Sequence, residues 1–313
     1  MLGTGALMLS ELSGKAAFIT GGSSGIGLGL AQVLAEHGMK LAIGYRSESH
    51  RDEALKLFTP DQIIIPVEVD IADRASLDHA AEQVRGHFGK LHLLACNAGV
   101  FLPASLAETS HADWDWEIGV NLTGTFNTVK AFVPQLLEHG EPAHIAATGS
   151  ILGLLGSAAA PAYSASKFGV TGLLESLAAE LRDTNVGVTI FSPGFVNTNV
   201  ADWRRNRADS GARSGGRDVN PAVWTDPDLT MDPVTAARHL LTAIQSGQLH
   251  AIPNWEYQPA LAARAAMIER GIAAKTTSTQ AREAFGQSFL DRSIYASEST
   301  SKLAVDPQMK NAH

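Results

Sequence analysis

Two rhythms of apolar residues alternate along the chain. Short, almost wholly apolar runs lie at 16–20, 40–45, 63–69, 91–97, 144–148, 186–192 and 250–252. Between them, at 26–37, 52–58, 75–88, 114–137, 162–182 and 233–246, apolar residues recur every three or four positions. The first rhythm predicts strands buried on both faces, and the second predicts amphipathic helices. Strand–helix alternation calls for right-handed crossovers. The expected fold is therefore α/β, a single domain with a doubly wound parallel sheet of about seven strands and helices on both faces.

Two stretches leave this pattern. Residues 199–228 are rich in Arg, Asp, Ser, Gly and Pro. They are too polar for a core and too long for a turn, which predicts either a functional loop or partial disorder. Residues 257–293 regain helical spacing, and the tail after Ser297 is polar. The expected division is a catalytic domain at 1–255, with 199–228 as its substrate lid, and a helical extension at 256–313.

Composition excludes several classes. Apolar residues make up 45% of the chain and charged residues 18%, enough to build a core. A formal net charge of −8 disfavours a nucleic-acid partner. No apolar stretch can span a bilayer, and residues 1–13 lack the basic start and apolar core of a secretion signal, so a cytoplasmic location and no membrane partner are expected. The single cysteine, Cys96, rules out an intrachain disulfide and a thiolate metal cluster. The histidines are scattered, so no metal site is expected. His37, His87 and His139 fall near predicted helix C-termini, where a dipole role suffices.

The first strand runs into Thr20-Gly21-Gly22-Ser23-Ser24-Gly25-Ile26-Gly27 and then into a helix. Small residues there let a backbone approach a pyrophosphate, and the helix N-terminus offers free N–H groups and partial positive charge. Glycines also serve plain tight turns, but this position between first strand and first helix is that of a Rossmann-type dinucleotide site. The second strand ends Gly44-Tyr45-Arg46-Ser47, without the carboxylate that would bind ribose hydroxyls and favour NAD(H). Arg46 can instead pair with a 2′-phosphate, and Ser47 can add a hydroxyl, so NADP(H) is the favoured cofactor and NAD(H) the alternative. The bland reading of Arg46 is a solvated loop residue. Asp70 closes the third strand, where it could receive an adenine amino group or cap the next helix.

Tyr163 and Lys167 stand four residues apart in a predicted helix and share a face. A tyrosine is a poor base at neutral pH, but a neighbouring ammonium favours its phenolate. Ser150, just after a strand, could steady a reacting oxygen. Asn121, in Val120-Asn121-Leu122-Thr123-Gly124, could hold a water that links Lys167 to solvent. Each element alone is weak, since a Tyr/Lys pair on a helix is commonly a surface pair. Their order behind a glycine turn is what carries weight.

With these motifs the sequence resembles the short-chain dehydrogenase/reductase superfamily over roughly residues 12–255. The shared motifs are TGGSSGIG at 20–27, CNAG at 96–99, Asn121, Ser150, YSASK at 163–167 and PGFVNT at 193–198. The resemblance implies hydride transfer between a nicotinamide and a carbonyl/alcohol pair, with Asn121, Ser150, Tyr163 and Lys167 as catalytic tetrad. It implies cofactor contacts at Gly21, Ser23, Ser24, Gly25, Ile26, Gly27, Asp70, Ile71, Asn97, Ala98, Gly99, Tyr163 and Lys167. Pro193, Gly194, Val196 and Thr198 would border the nicotinamide. Where the family often has Asn-Asn-Ala-Gly, this chain has Cys96 first, read as a small buried core residue. Relatives assemble as dimers or tetramers through the helices expected at 114–137 and 162–182, so a homo-oligomer is expected.

The substrate side is apolar. Ile151, Leu152 and Leu155 follow Ser150, Phe195 follows the Pro-Gly turn, and Trp203 and Trp224 lie in the lid. Ile151, Leu152, Leu155, Phe195 and Trp203 are the expected pocket, suited to a hydrophobic ketone or secondary alcohol, aromatic ones included. The leucines could equally be core or subunit contacts. Arg204, Arg205, Arg207, Arg213 and Arg217 in the lid read as solvated charges, or as attraction for an anionic substrate or an acyl carrier. The run from Asp113 to Asn121, Pro253 and the long C-terminus are similar to bacterial family members that oxidise benzylic alcohols. Those relatives tend towards NAD, which Arg46 opposes.

Overall fold

The computed structural model describes residues 9–207, 216–217 and 225–272, together with 280, 283, 286–288, 290 and 294. Trp224 and Arg213 lie outside the described residues. So does most of the chain beyond 272.

Seven strands form one all-parallel sheet: β1 (Ala16–Ile19), β2 (Lys40–Tyr45), β3 (Ile64–Glu68), β4 (Leu93–Cys96), β5 (Ala143–Thr148), β6 (Val186–Phe191) and β7 (His250–Ala251). Their spatial order is β3-β2-β1-β4-β5-β6-β7. The helices are α1 (Gly25–Glu36), α2 (Glu48–Leu55), α3 (Arg74–Phe88), α4 (His111–Ile118), α5 (Gly124–Glu138), α6 (Pro161–Glu180), the single turn α7 (Trp203–Asn206), α8 (Pro233–Ser246) and α9 (Gln258–Arg270). The expected α/β fold is present as one Rossmann-like domain.

Alternation along β1 explains the layering. Ala17 and Ile19 point into one core with Leu30, Leu34 and Leu240, from α1 and α8. Phe18 points into the other with Val84, Val129 and Phe132, from α3 and α5. The Phe18 and Phe132 rings stack at 4.7 Å. Covered on both faces, the central strands β1 and β4 carry no polar face.

One local difference from the sequence reading matters. The helix expected at 114–137 is two helices, α4 and α5, joined by a π turn at Gly119–Thr123. The acid at the start of α4 has a cap's role: Ser110 and Asp113 form a reciprocal capping box. No described helix is long and apolar enough to cross a membrane.

Candidate active site

The strand order reverses between β1 and β4, and crevices open beyond the carboxyl ends of strands at such a point. The backbone there is stitched by side chains. Thr20 Oγ1 accepts the N–H groups of Asn97 and Ala98 at 3.0 and 3.1 Å. Asn97 Nδ2 donates to Thr20 O at 3.3 Å, and its Oδ1 accepts from Thr148 Oγ1 at 3.0 Å. Asn97 thus ties the ends of β1, β4 and β5 together.

A cavity of about 720 Å³ occupies this crevice. Gly21, Ser23, Ser24, Gly25 and Ile26 form one end of its wall, and Arg46, Ser47, Asp70 and Ile71 line it beside them. Asn97, Ala98 and Gly99 form its floor, and Ser150, Ile151, Leu152, Tyr163 and Lys167 line the other end with Pro193, Gly194, Phe195, Val196 and Thr198. Gly21 takes φ +64°, which the tight turn requires. Gly27 lies behind the wall, where an added Cβ would stand 2.4 Å from Gly21 O and from Asn97 Nδ2. These features fit a dinucleotide: a glycine turn at a helix N-terminus, a long trough, and a polar reaction end.

Several expected residues lie elsewhere. Trp203 and Leu155 do not line the cavity. Trp203 is buried against Leu102 and Ala104, a core beneath the loop and no aromatic lid. Asn121 is fully buried behind the wall. Its Oδ1 accepts from Val100 N at 2.8 Å, and Nδ2 donates to Val100 O at 2.9 Å and Ser166 Oγ at 3.0 Å. Both amide hydrogens are committed, so the amide positions the backbone and has none left to give a water. Asp70 caps no helix; its Oδ1 accepts from Ala72 N at 2.9 Å, while Asp73 caps α3.

At the reaction end, Lys167 Nζ donates to Thr148 O at 2.8 Å and stands 5.6 Å from the centre of the Tyr163 ring. Ser150 opens a 3₁₀ turn, its Oγ accepting from Leu152 N at 3.1 Å. Burial pushes the Tyr163 phenol up to about 12, against the pull of its hydrogen bond with Ser150. The expected lowering by Lys167 is not what sets the phenol: burial dominates, and burial likewise pushes the ammonium down to about 8. At neutral pH the phenol is held as a proton donor. Cys96 is buried and its thiol is pushed up to about 12 by desolvation, an inert core residue.

Sequence reasoning missed Phe101, His50 and Tyr257, all on the cavity wall, which Arg205 and Arg207 of the lid line as well. Phe101 lies in an irregular segment after β4, without a spacing signal. The lid arginines do more than meet solvent. Arg205 Nη2 contacts His50 on α2, and Arg204 lies over the Trp203 ring at 4.5 Å. Arg217 pairs with Glu108 at 2.7 Å. Asn254 Oδ1 accepts from Gly194 N at 2.8 Å, which brings the C-terminal segment to the Pro-Gly turn.

Comparison with known proteins agrees with this geometry. The short chain dehydrogenase family profile matches residues 15–209. A C alpha-dehydrogenase from Sphingobium sp. is 30% identical over 258 residues, covering 81% of this chain and 85% of that protein. A short chain dehydrogenase/reductase from Burkholderia phymatum, solved in complex with NAD, aligns with TM-score 0.76 and 30% identity over 86% of this chain and 99% of its own. The apo form of LigD from Sphingobium sp. aligns with TM-score 0.71 and 28% identity over 84% and 99%. The chain belongs to the short-chain dehydrogenase family. It is an NAD(P)-dependent oxidoreductase.

Proposed function

We propose that this enzyme is an NADP(H)-preferring carbonyl reductase or secondary alcohol dehydrogenase acting on hydrophobic, aromatic substrates. The observation that carries the cofactor reading is the end of β2. No carboxylate closes that strand, and Arg46 and Ser47 line the cavity with His50 and Arg205, Asp70 standing 3.8 Å from Arg46. Two guanidinium groups and a hydroxyl suit a phosphate. The substrate end is walled by Phe101, Ile151, Leu152 and Phe195, which suits an aromatic ring.

When bound, the nicotinamide supplies hydride in reduction and takes it up in oxidation. Tyr163 gives the proton to the carbonyl oxygen in reduction and removes it from the alcohol in oxidation. Ser150 donates a hydrogen bond to that oxygen as charge develops. Lys167 keeps a positive charge beside the phenol and would hold the cofactor's ribose hydroxyls. Asn121 holds Val100 and, through Ser166, the first turns of α6 in place. A homo-oligomer and a cytoplasmic location accompany this reading, the latter because a lone buried cysteine suits a reducing compartment.

The second reading is an NAD-linked benzylic alcohol dehydrogenase, favoured by similarity to the C alpha-dehydrogenase and to a relative solved with NAD. One experiment separates them: consumption of NADPH and NADH with a panel of aryl and alkyl ketones, Tyr163→Phe serving as control. Turnover with NADPH, lost in the variant and weak with NADH, is the expected result. Turnover with NADH alone overturns the cofactor reading.

A further inference from the structure

Glu117 is fully buried on α4, one turn after the equally buried Asp113. Its Oε1 accepts the N–H of Leu102 at 2.8 Å, while Oε2 has no hydrogen-bond partner. A bare buried carboxyl oxygen forfeits its hydration, so this side chain is held here at a cost in stability. What the carboxyl does is visible from its neighbours. Asn121, four residues on, grips Val100 through both N–H and C=O. Glu117 grips Leu102. Phe101 stands between the two anchors and meets the Tyr163 ring edge-on, with centroids 4.9 Å apart and planes at 80°.

The same carboxyl faces the catalytic helix electrostatically. Burial pushes Glu117 up to about 8, the Leu102 N–H and the charge of Lys167 pulling back while Asp113 adds to the rise. Burial pushes Lys167 down to about 8, and Glu117 pulls it back up. An ionised Glu117 also raises Tyr163. The charged groups around it are Asp113 on its own helix, which is paired with Arg207 from the loop after β6, and Lys167 and Tyr163 on α6.

We propose that Glu117 is a positioning residue of the hydride-transfer site, one that holds the Phe101 wall against Tyr163 and whose buried carboxyl couples its ionisation to that of Lys167. The proposal rests on the reading of Tyr163 and Lys167 given above. Glu117 touches no reacting atom. It acts through the residues on either side.

The test is Glu117→Gln in the full-length enzyme, read as the pH profile of kcat/KM for alcohol oxidation. Glutamine keeps an oxygen for Leu102 N–H but cannot carry charge. Loss of the anion lowers the proton affinity of both Tyr163 and Lys167, so the whole profile moves to lower pH, by about half a unit or more. A purely structural role leaves its position unmoved, and a profile superimposable on wild type overturns the coupling. A second arm needs no turnover and leaves Glu117 itself unchanged: the infrared spectrum of wild type and of Tyr163→Phe across pH. A carboxylic-acid carbonyl band that vanishes as pH rises through about 8 is expected in both. Its absence from both overturns the proposal. The band without turnover on any substrate leaves Glu117's buried acid standing and sinks the reaction assigned to Tyr163.

Discussion

Arg207, on the loop after β6, forms an ion pair with Asp113 at the start of α4, their side chains 3% and 0% exposed. Asp113 Oδ2 meanwhile accepts the Ser110 N–H at 3.0 Å, so one carboxylate caps a helix and anchors a loop. Breaking such a pair from one side strands the other charge in the interior. Arg207→Met is therefore expected to lower unfolding stability by about 3–5 kcal/mol. Urea unfolding checks this. Asp113→Asn/Arg207→Met should recover part of the loss, since no uncompensated charge remains.

Arg46 is half-exposed, and its Nε lies 3.8 Å from Asp70 Oδ2. A pair that loose contributes little to stability. Arg46→Ala should leave the unfolding midpoint near wild type. It should raise the KM for NADPH by about ten- to a hundredfold, the worth of one or two charge-assisted hydrogen bonds, and leave the KM for NADH nearly unchanged. Equal effects on both cofactors would refute a 2′-phosphate role.

His144 on β5 is fully buried, and desolvation lowers it to about 4. Thr189 Oγ1 gives its one proton to Gln248 O at 2.7 Å, so it accepts from His144 Nε2 at 2.8 Å. The imidazole is neutral in the fold. Below its unfolded value of 6.5, the unfolded chain takes up a proton that the folded chain refuses, so stability falls as pH falls. The loss attributable to His144 is about 3 kcal/mol between 6.5 and 4, and nothing above 6.5. His144→Gln, which still donates to Thr189, should flatten that part of the stability–pH curve relative to wild type.

The strands, the glycine turn and the Ser-Tyr-Lys group were legible because their signals are local. Apolar runs specify buried strands, and i,i+4 spacing puts Tyr163 and Lys167 on one face. Helix α8 begins and ends where its Asp-Pro start and glycine stop predict, at Pro233–Ser246. What was hidden depends on distant partners. Arg207 reads as a solvated loop charge until the fold brings Asp113 to it, 94 residues away in sequence. Trp203 reads as a lid aromatic because its partners Leu102 and Ala104 belong to another segment. Glu117, in the run Asp115-Trp116-Glu117, has the pattern of a solvated helix face, and nothing nearby in sequence marks it as buried.

The π turn at Gly119–Thr123 bears on what kinds of mutation this enzyme can tolerate. A π turn is an α-helix with one residue too many in its winding. Because that residue is absorbed within one turn, the helices on either side keep the angular phase they would have without it. Removing a single residue there would restore plain winding with Asp113 and Glu117 still facing Arg207 and Leu102. What would be lost is the local bulge that sets Asn121 against Val100. A one-codon deletion in this turn therefore strikes the site and spares the packing of the two helices.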